Sequence, residues 1–311
     1  FIDGRPYLDK IVMRIIKDGS ARTIALENGE VHLSAFEQNP RDIARLKKNA
    51  NISATPQGYG AIGPIAWLAF NTKRRPISDV RVRQAIAHAI DRNFIVKAIF
   101  LGTSQAALTG IHPDSPFYDP SVPAYDLDID KANKILDDAG YKRGSDGMRF
   151  KLTVDFGWQS IKAPAEYLKP QLKKIGIDLA VRAAPDFPSW AKRISNHEFD
   201  MTWDVVFNWG DPVIGVHRTY LSSNIKKGVI WSNTQQYENA GVDDILNQAG
   251  RESDPAKRKA LYAKFQHIVA KELPVYWSYT LPYHTIYSSK VGNAPRGIWA
   301  TCSPLDQLYL K

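Results

Sequence analysis

The constraint that most limits this chain is an alternation. Capped helical segments and short runs of β-branched and aromatic residues succeed one another from end to end. Helix starts are marked at Ser20, Asn39-Pro40, Ser78-Asp79, Asp91, Asp130, Pro164 and Asp254-Pro255. Stops are marked at Gly29, Gly102, Gly140 and Gly176, and before Pro274. A cap side chain satisfies an orphan amide at the helix start, and a terminal glycine takes the left-handed conformation at its end. Between the helices lie strand-like runs at Lys10–Ile16, Ile65–Phe70, Phe150–Phe156, Ile177–Val181, Phe199–Phe207, Val275–Tyr279 and Leu308–Leu310. Helix and strand in alternation predict an α/β fold with helices layered on sheets. The 311 residues suggest about two domains.

Several function classes are disfavoured by the same residues. The net charge is +9, but the basic residues are scattered in pairs (Lys47-Lys48, Lys142-Arg143, Lys173-Lys174, Lys226-Lys227) rather than gathered in a stripe. A nucleic-acid face needs such a stripe and a recognition element. No apolar run approaches the ~20 residues of a membrane span. The single cysteine, Cys302, permits no disulfide within the chain. Gly58-Tyr-Gly60-Ala-Ile-Gly63 matches a dinucleotide fingerprint in letters only. Pro64 and a strand-like run follow where the motif needs a helix. Asp126, Asp128 and Asp130 do not make a calcium loop, because Lys131 stands at the position that needs glycine. The histidines form no HExxH and no i, i+4 pair, so neither metal nor cofactor is expected. No G-x-S-x-G elbow is present.

Aromatic density peaks between Phe199 and Pro212, where a strand runs into Asn208-Trp209-Gly210-Asp211-Pro212. Ligand sites in open α/β sheets form beyond such strand ends. Trp209 is a candidate cover for a flat or aliphatic ligand, and Trp203 is more readily a core residue. The turn-rich stretch Thr109 to Asp126, with four prolines, reads as an ordered loop over a surface or along a cleft rim.

Blocks in fixed order carry a family resemblance. They are Tyr7-Leu8-Asp9-Lys10-Ile11-Val12; Leu68-Ala69-Phe70-Asn71; Arg75-Pro76-Ile77-Ser78-Asp79-Val80-Arg81-Val82-Arg83-Gln84-Ala85-Ile86; Asp130-Lys131-Ala132 with Ala139-Gly140-Tyr141; Phe199-Asp200-Met201; and Asp254-Pro255 through Tyr276. The chain resembles the family 5 extracellular solute-binding proteins of peptide- and nickel-type ABC importers. The resemblance implies a type II-like periplasmic binding protein with two lobes of mixed sheet flanked by helices, truncated at its N-terminus. Residues 1–70 and 282–311 would make a partial lobe one, without its first strands and inserted domain, and 71–281 a complete lobe two. Hinge crossings would lie near 70–73 and 278–283. A signal peptide would lie upstream, and the location would be periplasmic.

The implied activity is not enzymatic. A small solute (a peptide or peptide-like compound, with opines and glycosides also bound in the family) is captured by hinge closure and delivered to the permease subunits by a monomer. Candidate ligand contacts are Trp158, Gln159, Asn208, Trp209, Asp211 and Arg218, with Tyr59 on the lobe-one side. By alignment on Asp211-Pro212, the acid that pairs with a peptide amino terminus in dipeptide-binding relatives falls at Asn208, which is neutral. Arg218 is a candidate to hold a carboxylate. Two alternatives remain open: an α/β hydrolase or transferase using the same cleft, and a solute-sensing module for a receptor.

Overall fold

The computed structural model describes residues 4–297 and 303–311, so Cys302 lies outside the described residues. The elements in order are α1 (Gly19–Glu27), β1 (Leu33–Glu37), α2 (Pro40–Leu46), β2 (Ile52–Thr55), the single turn α3 (Tyr59–Ile62), β3 (Pro64–Phe70), α4 (Val80–His88) and α5 (Arg92–Phe94), which runs into a π turn at Ile95–Ile99. Then come α6 (Ile129–Asp138), β4 (Phe150–Phe156), α7 (Lys162–Lys174), β5 (Ile177–Ala183), α8 (Phe187–Ser195) and β6 (Met201–Phe207). A π turn at Val213–His217 leads into the short α9 (Arg218–Tyr220). The chain closes with α10 (Ala240–Ala249), α11 (Pro255–Glu272), β7 (Val275–Thr280), β8 (His284–Ser288), β9 (Val291–Gly292) and β10 (Tyr309–Leu310).

Local chemistry set most of these starts. Asn39, Asp79, Asp91 and Asp254 each accept a backbone N–H from the first turn of the helix they were expected to open. Two caps are displaced. Asp18 rather than Ser20 caps α1, through the Ala21 amide at 2.7 Å. Asp128 rather than Asp130 caps α6, through Lys131 N at 2.8 Å. In both cases a carboxylate two residues earlier takes the extended cap position and draws the expected residue into the first turn. Pro164 falls inside α7 rather than opening it. At the third helical position its missing N–H is one of the donors that lack a partner anyway. Two helices went unexpected although their caps stood in the sequence: Asp186 accepts from Ser189 N, and Asn239 accepts from Gly241 N and Val242 N.

The larger sheet has five strands in the order β5-β4-β6-β3-β7. β4 runs parallel to β5 and β6, while β3 is antiparallel to β6 and β7. All seven residues of β3 are buried, as expected for a central strand covered on both faces. One face packs Leu68, Phe70, Trp203 and Tyr279 against α4, α6 and α7. The other packs Trp67, Val206 and Trp277 against α8, α10 and α11. Trp67 and Trp277 face each other across the β3/β7 ladder with rings stacked 5.2 Å apart.

The smaller sheet, β1-β8-β2, is antiparallel and packs Ile286 against Leu26 of α1 and Ile43 and Leu46 of α2. The expected division at residue 70 would cut the larger sheet, because β3 is its inner strand. Nor does the chain cross between the bodies at 70–73. Asn71 and Thr72 are tied to Asp200 and Gln235 inside the larger body, at 2.9 and 3.0 Å. The segments 56–63 and 281–283 link strands of the smaller sheet to strands of the larger one. Lys10–Ile16 forms no strand: Ile11, Val12, Met13 and Ile15 are exposed, and no ladder reaches them. At the other end, Leu308–Leu310 is reduced to the two-residue pairing of β10 with β9.

Candidate functional site

β4 and β5 end together at Phe156 and Ala183, whereas β6, last paired with β4 at Thr202, runs on to Phe207, opposite the start of the antiparallel β3 at Pro64. The chain beyond β6 is held there by the joint between the bodies. The amides of Asn208 and Trp209 both donate to the Ile62 carbonyl, at 2.8 and 3.0 Å. The Asn208 side chain is 5% exposed and donates Nδ2 to the Gly110 carbonyl at 2.8 Å. Its Oδ1 has no hydrogen-bond partner, although a buried amide oxygen ordinarily finds one. A Cβ on Gly215 would stand 2.4 Å from that oxygen, so glycine is what lets the turn after Pro212 close over Asn208.

A cleft of about 290 Å³ opens beside Asn208. Gly58, Gly60 and Ala61 form one wall, Asn208 and Gly210 another, and His112 and Asp114 a third. This is near the lower end of the ~300–1,000 Å³ usual for ligand pockets, which suits a small solute. The third wall belongs to the stretch expected to rim a cleft. Its individual residues were not singled out, because they meet Asn208 only through the fold. Burial holds the His112 imidazole below its ordinary pKa against the opposing pull of Asp114, so the ring is neutral near pH 7. Its Nδ1 accepts the Asp114 amide at 3.2 Å.

The other candidates are placed differently. Trp209 has φ of +50°, an uncommon backbone for a bulky residue, and its ring is 38% exposed beside Phe207. Asp211 does not face the cleft as an open acid. Arg258 of α11 grips it with two hydrogen bonds of 2.7 and 2.8 Å, and its Oδ1 also accepts Val213 N. Burial pushes this carboxyl up, but the Arg258 hydrogen bonds, the Val213 amide and the Arg258 charge bring it below the usual carboxylate range. Asp211 therefore positions the loop. Tyr59 turns its ring away from the cleft into Phe36 and Tyr283, while its hydroxyl accepts the Phe36 amide at 2.9 Å and meets Thr285 Oγ1 at 3.0 Å. Its neighbours Gly58, Gly60 and Ala61 line the cleft in its place.

Trp158 leaves the end of β4 half-buried and packs on Phe187 and Trp190 of α8. Gln159 is exposed at the turn that follows. Neither lines the cleft. Arg218, at the start of α9, does not line the cleft, and its charge acts on Asp204. Asp204 is 1% exposed, and burial pushes its carboxyl up to about 7 against the Val205 amide, the charge of Arg218 and a hydrogen bond from Trp231. His217, one residue before Arg218, is pushed down to about 4, mainly by burial, and its Nε2 meets Tyr262 Oη at 3.0 Å.

This geometry has known counterparts. The family described as bacterial extracellular solute-binding proteins, family 5 middle, matches residues 1–228. The chain belongs to that family. It is 30% identical over 285 residues to heme-binding protein A of Haemophilus influenzae, an alignment that covers 87% of this chain and 48% of that relative. Glutathione-binding protein GsiB of Shigella dysenteriae is also 30% identical over 285 residues, covering 87% of this chain and 52% of the relative. The structure of the ABC transporter-associated periplasmic binding protein DppA from Helicobacter pylori, in complex with the peptide STSA, superposes with a TM-score of 0.82 at 29% identity. It covers 98% of this chain and 57% of that one. The chain spans about half the length of the curated relatives it matches. These relatives are binding proteins, and the α/β fold with mixed sheets agrees with the resemblance.

Proposed function

We propose that this chain acts in the periplasm as the solute-binding component of a peptide-type ABC importer, not as an enzyme. A small solute enters the Asn208 cleft. The two bodies close about the crossings 56–63 and 281–283, and the closed form docks on the permease. Closure selected by a ligand follows from its better contacts in the closed state. The observation that carries this reading is a cleft at the carboxyl end of β6, walled by the joint itself and containing the unpartnered Oδ1 of a buried Asn208. That position also supports a weaker claim on free amino termini than an acid would make, since the neutral amide oxygen accepts from the ammonium without the opposite charge a carboxylate would add.

The hydrolase alternative finds little support. Among the described residues a Ser–His contact joins Ser121 Oγ to His267 Nε2 at 3.3 Å, and Asp119 meets the same Nε2 at 3.2 Å. A nucleophile and an orienting acid need opposite ring nitrogens. The test is calorimetric titration of the chain with Ser-Thr-Ser-Ala, glutathione and heme, the ligands of the relatives. Binding of one of them, with a preference for free amino termini that grows about tenfold in Asn208→Asp, is expected. Binding untouched by any substitution at Asn208 or Gly60 would remove the cleft from the account.

A further inference from the structure

The walls of the cleft beside Asn208 have a one-sided charge. In a chain of net charge +9, neither Lys nor Arg lines it among the described residues. Its one charged side chain is Asp114, because burial keeps His112 neutral near pH 7. The loop that carries Asp114 is pinned in place. A Cβ on Gly110 would stand 2.6 Å from the Trp277 ring, and the Gly110 carbonyl accepts Asn208 Nδ2 at 2.8 Å. Two residues on, His112 Nδ1 accepts the Asp114 amide at 3.2 Å. The Asp114 carboxylate reaches Gly60 of the facing wall, where a Cβ would stand 2.3 Å from its Oδ2. Gly60 is not one of the left-handed glycines, so what it provides is room for that carboxylate. The carboxylate accepts no hydrogen bond from any described residue. The other unmet group beside the cleft, Asn208 Oδ1, is an acceptor too. Two unmet acceptors, one of them ionised, suit donors that carry positive charge.

We propose that the cleft takes the cationic end of the solute, an alkylammonium or alkylguanidinium with no carboxylate beside it, and that Asp114 supplies the countercharge. This rests on the solute-binding reading and narrows it. The charge that position 208 lacks comes from the loop opposite, held there by the Asn208 side chain itself through Gly110. An α-amino acid head is disfavoured, because its carboxylate, on the carbon next to the ammonium, would meet Asp114 with like charge and find no Lys or Arg in the lining. A phosphate or sulfate group is disfavoured for the same reason. The volume of about 290 Å³ admits such a head and a short stretch of its chain.

The test uses the 311-residue chain and a matched series of probes. Butylamine and butylguanidine carry the cation, butanol lacks it, and norleucine adds a carboxylate beside the ammonium. Backbone ¹H–¹⁵N spectra read the Asp114 and Gly60 amides at millimolar probe, so weak binding is still seen. At least one cation is expected to shift both amides and to bind about three- to tenfold more tightly than butanol or norleucine. The range is modest because the Asp114 side chain is 61% exposed and water screens it. Asp114→Asn should erase the preference and leave butanol unchanged. Gly60→Ala should reduce it by displacing the carboxylate. Asp178→Asn, which removes an exposed acid near the start of β5, should leave it intact. Cations that move neither amide, a preference that survives Asp114→Asn, or an equal loss in Asp178→Asn overturns the inference. Ser-Thr-Ser-Ala, glutathione or heme bound with sensitivity to Asn208 but none to Asp114 would refute this assignment and leave the solute-binding reading standing. A cation preference set by Asp114, with none of those three ligands bound, would sustain it while their failure counted against that reading alone.

Discussion

All seven residues of β3 are buried, whereas in β1 only Glu37 is, and upstream of it Val12 and Ile15 are 68% and 91% exposed. The larger sheet is covered by helices on both faces. The smaller one has α1 and α2 on one side and a core of four buried residues: Leu26, Ile43, Leu46 and Ile286. The smaller sheet is buried mainly along its central strand β8, four of whose five residues are buried, while its outer strands β1 and β2 are largely half-exposed. The difference teaches that β-branched and aromatic composition makes a segment able to be a strand, while partner strands and covering helices decide whether it becomes one. Lys10–Ile16 has the composition of a central strand and lacks the partners.

The comparison breaks most readily on matched truncations. Leu68→Ala in β3 should destabilise by about 4–5 kcal/mol and Leu46→Ala in α2 by about 2–3, since the looser surroundings of the second site relax more into the space left. Equal losses in urea unfolding would mean that the two bodies are equally well packed.

A pH series sharpens it next. In the larger body, folded Asp204 keeps a proton to about pH 7 that the unfolded chain releases near 4, so its contribution to stability falls as pH rises between those values. His217 works in the opposite sense. Its folded pKa of about 4 lies below the ordinary 6.5, so its contribution is complete above 6.5 and is lost as pH falls toward 4. Asp204→Asn should therefore leave stability rising with pH from 4 to 6.5 and gain on the order of a few kcal/mol over the parent at pH 8, with little gain at pH 4. His217→Gln should leave the reverse slope. Parallel melting-temperature profiles for the parent and both variants would discard this account.

A smaller effect is expected at the loop that walls the cleft. Arg258→Gln removes the grip on Asp211 and should cost about 1–3 kcal/mol, with faster hydrogen exchange confined to the amides from 208 to 217. Exchange that quickens equally in α1 and α2 would show that the pair braces the whole molecule.

The smallest effect is expected at the exposed segment. Ile15→Lys should change stability by less than about 0.5 kcal/mol and lower light scattering by reducing apolar exposure. A loss above 1 kcal/mol would mean that Ile15 is packed, and the contrast between the sheets would fail.

How much of this was legible depended on range along the chain. Asp79, Asp91 and Asp254 could be read as caps because a cap and its amide lie two or three residues apart. Asp186 and Asn239 carried the same signal, and α8 and α10 were missed although it was there. The strands of the larger sheet were legible from their β-branched and aromatic runs, while β1, β2 and β8, short and half-polar, were not. Of the expected ligand contacts, Asn208 lines the cleft and Trp158 stands past the end of β4, away from it. The pairing of Asp211 with Arg258 was not legible, because the two lie 47 residues apart. Nor was the contact of the Tyr59 hydroxyl with Thr285, 226 residues on.

The sequence by itself determined the α/β layering, most of the helix starts and the family, because each rests on contacts between near neighbours or on ordered blocks of residues. Only the tertiary structure decided that β3 belongs inside the larger sheet, that 56–63 links the two sheets, and that Asn208, Gly60 and Asp114 face one another across a cleft. Those outcomes depend on which distant groups satisfy a buried donor or acceptor. Spacing along a chain does not encode that choice, because the competing partners differ only in where the fold brings them.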